Sequence, residues 1–396
     1  MRIGYFTDTY LPATHGVAVS IESFRHKLEA KGHEIYIYAP QSPGYVDKNS
    51  RVTRFKSLKI IENPELRYAF NLLPVKQSFL KLTNFKLDLV HAQTPFSLGV
   101  LAKIFAERQL IPLIYTHHTH YPEYAKAYFR EKILLPHLAK VYSTWFANLC
   151  DGVIAPSLAI KKMLKGYGVK DKVPIYVLPT GICVEHFTKK VSAEAQLQLR
   201  HKLGIKPDAK VLISVGRIGK EKNFDFLLNA YREMRRLQPG LVLLLIGDGS
   251  YLPKLKENAK NLGISDSVIF TGLVPHDDIP KYYQMADLFL FASLTDTQGI
   301  VVLEAMAAGL PVVALKCDVF LDIIKSNHNG FLVNTASPRV FADKVLALLK
   351  TPKEYHQFVS AAVDTAKHFS EESVANRLIS IYEEQLASFR AVGARK

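Results

Sequence analysis

Two carboxylates close to one apolar segment are the strongest candidates for residues that bind or react with a ligand. Asp296 and Glu304 stand eight positions apart, and a helix is predicted to begin between them, near Gly299. The first turn of a helix has free N–H groups that bind phosphate, and carboxylates accept hydrogen bonds from sugar hydroxyls. The segment therefore predicts a site for a ligand that carries both a phosphate and a sugar. The alternative, an unpaired acid in an apolar helix, is disfavoured because a lone buried charge is costly.

A basic turn after another apolar run supplies the complementary charge. Residues 216–223 read Gly-Arg-Ile-Gly-Lys-Glu-Lys-Asn and follow a predicted strand. Arg217 and Lys222 can hold a diphosphate and stabilise its charge as it leaves. A solvated charged turn is the alternative. Residues 247–249, Gly-Asp-Gly, follow the predicted strand Leu241–Ile246, and their backbone is expected to contact a nucleotide.

The first half of the chain has a glycine and a histidine cluster at predicted strand ends. The loop after the first strand places Gly16 just before a helix, where backbone N–H groups can receive a phosphate or a sugar, although such loops are also common as tight connections. His117 and His118 follow another strand, and a histidine there is expected to hydrogen-bond a sugar hydroxyl. Zinc binding, the alternative, lacks a nearby carboxylate cluster. Residues 276–278, His-Asp-Asp, are assigned to a helix start with the aspartates as caps.

Strand-length apolar runs alternate with helix-length segments along the whole chain, which predicts an α/β fold. The run Leu241–Ile246 is apolar throughout, as in a parallel sheet that helices cover on both faces. The chain is therefore expected to form doubly wound parallel sheets. The predicted strands are Ile3–Phe6, Ile35–Ala39, Leu89–His91, Leu113–Thr116, Val153–Ala155, Ile175–Leu178, Val211–Val215, Leu241–Ile246, Val268–Phe270, Leu288–Phe291 and Pro311–Ala314.

A polar stretch without a strand, residues 189–209, divides the chain and is assigned to a linker. The predicted N-terminal domain spans residues 1–195, and the predicted C-terminal domain spans residues 205–374. In open α/β sheets, ligands bind beyond the carboxyl ends of the strands. We therefore expect both domains to face a cleft that holds the site.

Charge is unevenly distributed along the sequence. There are 51 Lys and Arg residues against 36 Asp and Glu residues, which gives a formal net charge of +15. Residues 1–190 hold 26 of the basic and 14 of the acidic residues, so most of the excess lies in the first half. A basic half attracts phosphorylated ligands, anionic lipid or nucleic acid. A nucleic-acid binder is disfavoured because the sequence has no nucleic-acid motif and such a protein would not need the Asp296–Glu304 pair.

The cysteines and the apolar runs indicate a cytoplasmic setting. Cys150, Cys183 and Cys317 are too few and too scattered for a disulfide framework, which predicts a reducing compartment. An acid, Asp8, follows only a handful of apolar residues at the start, unlike a signal peptide. The longest apolar run has six residues, whereas a bilayer span needs about 20. We expect no membrane crossing.

Four spaced segments make the sequence resemble retaining glycosyltransferases of family 4, which have two Rossmann-like domains in the GT-B arrangement. The segments are Asp296 with Glu304–Val313, Val215–Arg217 with Lys222 and Asn223, Gly247–Gly249, and Pro179–Ile182. The resemblance implies that Asp296 contacts the donor sugar and that Glu304 contacts the nucleotide ribose. Asp296 stands where glutamate is usual, one methylene shorter, so the identity of the sugar stays open. The family also implies that a C-terminal helix, residues 375–396, joins the N-terminal domain.

The resemblance assigns roles to individual positions. The motif histidine corresponds best to His118, with His117 as the alternative. Catalytic roles are expected for His118, Arg217, Lys222 and Asp296. Donor binding is expected from Gly16, Val17, Gly216, Gly247, Leu273, Thr297, Gln298, Gly299, Ile300, Val301 and Glu304.

Two segments are similar to the bacterial branch that glucosylates diacylglycerol: Thr295–Gly299 and Tyr115–Thr119. Residues 121–146 interleave basic with aromatic and aliphatic side chains, and such a segment can lie in a membrane interface on anionic lipid. Residues 75–82 have a similar pattern. The alternative is a pair of amphipathic helices packed on the first sheet. Acceptor or membrane contacts are expected from Asp8, Tyr121, Tyr124, Lys126, Arg130 and Lys132.

The expected activity is transfer of a hexose, glucose, from a UDP-sugar to the free hydroxyl of 1,2-diacylglycerol, with retention to give an α-glycolipid. The enzyme is expected on the inner face of the cell membrane as a peripheral protein. No cofactor and no metal ion are expected, because protein cations take the place of a metal on the diphosphate. The alternative is a family 4 transferase with another acceptor, such as a phosphoinositide, a polysaccharide or a soluble sugar.

Overall fold

A computed structural model describes residues 1–13, 16–59, 67–69, 86–128, 134–293 and 295–393. The chain forms two compact units: Met1–Gly181 with Glu371–Lys396, and Ile182–Ser370. The division differs from the predicted boundaries at 195 and 374. Residues 182–195, assigned from sequence to the first domain and the linker, belong to the second unit.

Backbone and side-chain hydrogen bonds explain where the second unit begins. The backbone N–H of Ile182 donates to the carbonyl of Phe369 at 2.9 Å. The Gln284 side chain donates to the carbonyls of Phe187 and Lys189, each at 2.8 Å. These contacts hold the polar stretch to the second unit, and polarity alone does not reveal such contacts.

The first unit is built on a seven-stranded parallel sheet in the order β3-β2-β1-β6-β7-β8-β9. Its strands are β1 (Arg2–Phe6), β2 (Glu34–Pro40), β3 (Val52–Phe55), β6 (Leu89–Ala92), β7 (Leu113–Thr116), β8 (Gly152–Ala155) and β9 (Ile175–Val177). Its described helices are α1 (Gly16–Ala30), α2 (Ser97–Gln109), α3 (Tyr121–Tyr128), α4 (Leu135–Asn148), α5 (Leu158–Tyr167) and the C-terminal α14 (Glu371–Gly393). Strands β4 (Ser57–Lys59) and β5 (Arg67–Ala69) pair antiparallel beside the sheet.

The second unit has a six-stranded parallel sheet in the order β12-β11-β10-β13-β14-β15. Its strands are β10 (Lys210–Val215), β11 (Leu241–Ile246), β12 (Val268–Gly272), β13 (Leu288–Phe291), β14 (Val312–Leu315) and β15 (Gly330–Val333). Its helices are α6 (Val184–Thr188), α7 (Ala193–Lys202), α8 (Phe224–Leu237), α9 (Leu252–Asn261), α10 (Ile279–Gln284), α11 (Ile300–Ala307), α12 (Pro338–Lys350) and α13 (Pro352–Lys367). Short 3₁₀ turns cover Lys220–Lys222, His276–Asp278 and Asp318–Asp322.

Both strand orders are Rossmann-like, and the α/β prediction of two doubly wound units is confirmed. The order reverses between β1 and β6 in the first unit and between β10 and β13 in the second. Ligands of open α/β sheets bind at the carboxyl ends of the strands beside such a reversal. The two reversals therefore mark where site residues are to be sought.

Four strands were not predicted: β3, β4, β5 and β15. Strands β3 and β15 lie at sheet edges, and β4 and β5 form their own small ribbon. Edge strands are partly exposed and do not need a continuous apolar run. The predicted central strands, by contrast, are largely buried. In β11 the side chains at positions 243–246 are at most 2% exposed, and in β13 those at positions 288–291 are at most 5% exposed.

Candidate active site

The loops at the switch point of the second unit are held together by their backbones. Gly216 N–H donates to the carbonyl of Ile246 at 3.0 Å, and Ile218 N–H donates to the carbonyl of Asp248 at 2.9 Å. Gly247 has φ +138°, and a Cβ there would lie 2.0 Å from the Gly216 oxygen. Only glycine fits so close to another backbone. The basic turn and the Gly-Asp-Gly turn thus form one surface at the ends of β10 and β11.

The two predicted cations are each paired with a carboxylate. Lys222 Nζ donates to Asp296 Oδ1 at 2.7 Å, which joins the turn after β10 to the loop after β13. Arg217 donates to Glu221 Oε1 at 2.6 Å. The Asn223 side chain adds a 3.3 Å bond to the carbonyl of Ala292. The structure therefore brings Lys222 and Asp296 together across the switch point, and Glu221 is a partner that the motif spacing did not reveal.

One carboxylate oxygen of Asp296 is not used in any hydrogen bond within the described part of the chain. Its Oδ2 atom is buried and has no hydrogen-bond partner among the residues that the structure describes, and the same is true of Ser293 Oγ in the same loop. Buried polar atoms are nearly always hydrogen-bonded. A ligand hydroxyl that reaches this loop would satisfy them.

Glu304 lies inside α11 and is only 7% exposed. Its Oε2 accepts a 3.1 Å hydrogen bond from the Tyr283 hydroxyl on α10, and its Oε1 lies 3.6 Å from His276 Nε2. Burial, with the adjacent Glu304 charge, raises the pKa of Tyr283 well above its usual value, so the phenol stays a donor. Glu304 is thus a supported acid rather than a stray one, and Tyr283 was not found from sequence.

The start of α11 points its free N–H groups into the same region. Gly299 precedes the helix with φ +77°, and a Cβ there would lie 2.5 Å from the Phe320 ring. The helix has no side-chain cap. Gln298 is buried, whereas Thr297, Ile300 and Val301 are half-buried around this helix start. An uncapped helix N-terminus favours an anion such as phosphate.

Leu273 directly follows β12 and is 77% exposed. The Gly247 N–H donates to the carbonyl of Gly272 at 3.0 Å, so Leu273 lies one residue from the backbone of the Gly-Asp-Gly turn. The second unit therefore brings the predicted residues of three loops and one helix to one edge of its sheet. Their roles toward a donor remain predictions.

In the first unit, Asp8 lies at the reversal between β1 and β6 and is 4% exposed. Its carboxylate accepts hydrogen bonds from Thr94 Oγ1 at 2.6 Å, from Ser97 Oγ, and from the backbone N–H of Leu98 at 3.1 Å. Burial raises its pKa, and these bonds oppose the rise. In the structure Asp8 anchors the first turn of α2, and its expected contact with an acceptor remains a prediction.

Gly16 and Val17 open α1. Among the described residues, nothing lies within 4 Å of a Cβ built on Gly16, so their packing does not require a glycine there. Val17 is half-buried and packs against the core beneath α1. The open space beside Gly16 is consistent with a ligand that approaches the helix start.

The structure separates the two histidines between which the sequence left a choice. His117 is fully buried, donates its backbone N–H to the carbonyl of Ile154, and stacks edge-on against Tyr115 and Tyr121. Burial lowers its pKa to about 3. His118 is half-buried, and its Nε2 lies 2.7 Å from Gln93 Oε1 at the end of β6. His118 is thus the more accessible of the two, and its role toward a donor sugar remains a prediction.

The predicted acceptor residues are spread along α3 and beyond it. Tyr121 begins α3 and contacts Phe96 edge-on at 5.4 Å. Lys126 pairs with Glu123 at 2.5 Å. Tyr124 is on the same helix. Arg130 and Lys132 lie outside the described residues, as does the predicted membrane segment 75–82.

One metal-ligand cluster appears in the described part of the chain, although no metal site was expected. His186, His276 and Asp277 have ligand atoms within 4.8 Å of one another. The capping role predicted for the two aspartates is wrong. Neither the 3₁₀ turn nor α10 has a side-chain cap bond, and Asp278 instead accepts from Lys281 at 2.6 Å.

Comparison with known proteins identifies the family. The family described as "Glycosyl transferases group 1" matches residues 196–365, and "Glycosyltransferase Family 4" matches residues 14–186. An alpha-monoglucosyldiacylglycerol synthase of Streptococcus pneumoniae is 37% identical over 350 residues, which cover 86% of this chain and 74% of that one. A protein of the same name from Acholeplasma laidlawii is 34% identical over 344 residues, 84% of this chain and 85% of that one. The chain belongs to glycosyltransferase family 4.

A solved structure supports the fold assignment of this glycosyltransferase. The crystal structure of Anabaena HepE in complex with UDP and glucose covers 97% of this chain and 100% of its own, with a TM-score of 0.78 and 20% identity. At this identity the likeness speaks for the fold alone. The GT-B class, with two Rossmann-like units, is confirmed.

The surface of α4 is the other feature of this glycosyltransferase that bears on function. Its inner face buries Thr144, Phe146 and Ala147. Its outer face and the residue before it expose large apolar side chains, namely Leu134, Leu138, Val141, Tyr142 and Trp145. Among the described residues, none of the helices combines the length and the apolar character that a bilayer span requires.

Proposed function

We propose that this glycosyltransferase moves glucose from UDP-glucose to the free hydroxyl of 1,2-diacylglycerol and retains the α configuration. The part of the proposal that concerns the donor rests on the Lys222–Asp296 pair at the switch point. Arg217 lies on the same turn as Lys222, and the Oδ2 atom of Asp296 is buried without a hydrogen-bond partner among the described residues. Both relatives reported above bear the name alpha-monoglucosyldiacylglycerol synthase. Their names support the acceptor, the sugar and the anomeric outcome.

The proposed residues have complementary tasks on the donor. Asp296 Oδ2 and Ser293 Oγ accept or share hydrogen bonds with sugar hydroxyls, while Glu304, held by Tyr283, accepts from the ribose. Arg217, Lys222 and the free N–H groups of α11 bind the diphosphate. These groups are fixed before the substrate arrives, so they stabilise the growing charge of the leaving group without reorganisation.

The transfer needs no nucleophile from the protein. The bond between the sugar C1 atom and the diphosphate oxygen breaks, and a bond forms between C1 and the acceptor oxygen on the same face. The acceptor proton passes to the leaving phosphate oxygen, and UDP departs. Alignment and electrostatic stabilisation are then the whole catalytic contribution. We propose no metal ion in this step, because Arg217 and Lys222 supply the positive charge.

The membrane side of the proposal rests on α4. Its exposed apolar residues recur at positions 134, 138, 141 and 145, which is one face of a helix. Helix α5, whose Lys161, Lys162 and Lys165 are exposed or half-exposed, packs beside α4, and Lys140 lies 4.9 Å above the Tyr167 ring. An apolar stripe bordered by lysines suits the interface of an anionic membrane. We propose that the enzyme binds the inner face of the cell membrane through this surface.

One assay tests donor and acceptor together. The protein is incubated with radiolabelled UDP-glucose, UDP-galactose, UDP-N-acetylglucosamine or GDP-mannose and diacylglycerol in mixed micelles, and the lipids are separated. We expect label in a glucolipid only from UDP-glucose, with an α anomeric signal by NMR. Phosphatidylinositol and soluble sugars serve as competing acceptors.

Two results would contradict the proposal. A labelled product from another acceptor but none from diacylglycerol would show that the enzyme is a family 4 transferase with a different acceptor. Loss of activity in EDTA that Mg²⁺ restores would show that Arg217 and Lys222 do not replace a metal ion.

A further inference from the structure

Three metal-ligating side chains lie together in the second unit, and none of the three has an assigned role in the proposed transfer, although His276 lies beside Glu304. His186 lies on α6, whereas His276 and Asp277 lie in the 3₁₀ turn between β12 and α10. Their ligand atoms are within 4.8 Å of one another. The two imidazole rings stack with centroids 5.3 Å apart and planes 10° apart. Two elements distant in sequence thus present their imidazoles side by side.

Each imidazole also has an oxygen beside one of its nitrogens. His186 Nε2 lies 3.3 Å from the carbonyl oxygen of His276, and His276 Nε2 lies 3.6 Å from Glu304 Oε1. A histidine that binds a metal usually directs its other ring nitrogen at a carbonyl or carboxylate, which orients the ring. The cluster therefore has both ligands and the neighbours that orient them.

Packing keeps the two histidines in place. The Phe187 ring contacts His276 edge-on at 5.8 Å and Tyr283 at 5.9 Å. Gln284 of α10 bonds to the carbonyl of Phe187 at 2.8 Å. The backbone of α6 is thus tied to the elements that follow β12, so ordering the two ligand-bearing segments costs little further entropy.

We propose that His186, His276 and Asp277 bind one divalent first-row transition metal ion, with Zn²⁺ as the model ligand and water completing its coordination. Imidazole nitrogens with a carboxylate oxygen suit zinc, cobalt, nickel or copper, whereas Mg²⁺ and Ca²⁺ take oxygen ligands. The ion joins α6 to the turn after β12 and takes no part in the transfer. Its function is to stabilise the start of the second unit.

Metal binding is measured directly, independently of activity. Zn²⁺ is titrated calorimetrically into tag-free, EDTA-stripped full-length protein. We expect one ion per chain, and we expect His186→Ala and His276→Ala each to weaken binding at least about tenfold, because loss of a ligand exceeds the usual effect of losing a supporting group. His328→Ala removes an exposed histidine elsewhere in the same unit and should bind like the wild type.

Two further measurements distinguish this set of ligands from a cysteine-containing site and from nonspecific binding to surface histidines. Cys183 lies three residues before His186, so Cys183→Ser tests whether a thiolate is the real ligand. We expect that variant to bind Zn²⁺ normally, and we expect the Co²⁺ complex of the wild type to lack a thiolate charge-transfer band. Zn²⁺ should raise the melting temperature of the wild type and of His328→Ala but not of His186→Ala. Normal Zn²⁺ affinity in folded His186→Ala and His276→Ala, or loss of binding in Cys183→Ser alone, would overturn the proposal.

Discussion

At the residue scale, the charged side chains of the second unit are paired with one another before any ligand arrives. Lys222 holds Asp296 and Arg217 holds Glu221. A diphosphate carries more charge than a carboxylate and draws both cations toward it. Asp296 Oδ2 meanwhile stays available for a hydroxyl. The pairs therefore keep the cations positioned without occupying every polar atom of the site.

Replacing Arg217 tests the electrostatic contribution to the transfer. We expect Arg217→Ala to lower kcat by on the order of 10² or more, because one preorganised donor to the leaving group is lost. Arg236→Ala on α8 is the control, since that side chain is 65% exposed and pairs only with Glu233 in the described structure. Circular dichroism checks folding. Near-wild-type turnover in a folded Arg217→Ala protein would exclude the role.

Tyr283 offers a test of how Glu304 is supported. Tyr283→Phe removes the hydroxyl that donates to the buried Glu304 carboxylate and holds it in place, and a hydrogen bond to a charged group contributes about 1.5–3 kcal/mol. We expect UDP binding, measured by calorimetry, to weaken about tenfold or more, which corresponds to that energy. Tyr282→Phe, next to it and without the Glu304 contact, is the control. Unchanged UDP affinity in Tyr283→Phe would separate Glu304 from the nucleotide.

At the scale of elements, helices α4 and α14 have different roles in the first unit. α4 has a buried face against the first sheet, as the packed-helix alternative expects, and an exposed apolar face whose contact with a membrane stays a prediction. α14 belongs to the first unit although it follows the whole second unit in sequence. Lys27 of α1 pairs with Glu371, and Lys31 pairs with Glu372. Helix α4 thus carries the proposed membrane surface, whereas α14 completes the first unit.

The α4 face is tested by removing its apolar side chains. We expect Leu138→Ser combined with Trp145→Ser to lower binding to anionic vesicles at least about tenfold, because each side chain loses more than about 1 kcal/mol of burial in the interface. Leu197→Ser combined with Leu237→Ser removes similarly exposed side chains from the second unit and should have no effect. Equal pelleting of both double variants would locate the membrane surface elsewhere.

Acid should loosen the attachment of α14. His91 is buried, with Nδ1 2.7 Å from the Tyr382 hydroxyl and Nε2 2.6 Å from Thr116 Oγ1, and burial lowers its pKa to about 3. Between about pH 6.5 and pH 3 the unfolded chain therefore binds a proton that the folded chain does not. The free energy of unfolding should fall by about 1.4 kcal/mol per pH unit for this histidine as the pH drops below about 6.5.

Urea unfolding followed by the fluorescence of Trp145, the one tryptophan, measures this effect in the first unit. His91→Asn should lose less stability than the wild type between about pH 6.5 and pH 5.5, by about the amount for one histidine. The exposed His201→Asn should behave like the wild type. An identical pH dependence in all three proteins would show that His91 is not kept neutral by burial.

At the scale of the whole molecule, the excess of positive charge lies in the half of the sequence that contains the proposed membrane surface. Residues 1–190 carry 26 basic and 14 acidic residues, whereas the rest carry 25 and 22. A surface charge acts over about a Debye length, which shrinks from about 10 Å at 0.1 M salt to about 3 Å at 1 M. Attraction to an anionic bilayer should therefore depend strongly on salt, while apolar insertion should not.

Vesicle pelleting at about 0.1 M and about 1 M NaCl tests this division. We expect binding to anionic vesicles to fall with salt toward the level seen on neutral vesicles. Lys161, Lys162 and Lys165 of α5, replaced together by Gln, should weaken the low-salt binding, because each basic residue near the surface contributes about 1 kcal/mol. The same change at Lys254, Lys256 and Lys260 of α9 should not. Vesicle binding that does not change with salt would show that electrostatic attraction does not contribute and that apolar insertion alone holds the protein on the bilayer.

Much of the fold follows from local patterns. The central strands, such as β11 and β13, are continuous apolar runs because helices cover both sides of the sheet, and their bounds agree with the prediction to within a residue or two. The edge strands β3 and β15 were missed because they are partly exposed. The unit boundary was misplaced because the side chain of Gln284, far along the chain, holds the residues near Lys189.

The sequence by itself determined the α/β class, the family, and the positions of Arg217, Lys222, Asp296 and Glu304. Each pair of these residues belongs to its own strand–loop–helix segment, and residue type and spacing within such a segment are local properties. Tertiary structure alone decided their partners. Lys222 meets Asp296 because β10 and β13 are neighbours in the sheet, and Glu304 is contacted by Tyr283 of α10 and His276 of the preceding 3₁₀ turn, two elements that the chain brings to it from another segment. Pairings between distant segments depend on strand order and helix packing, which no local pattern encodes.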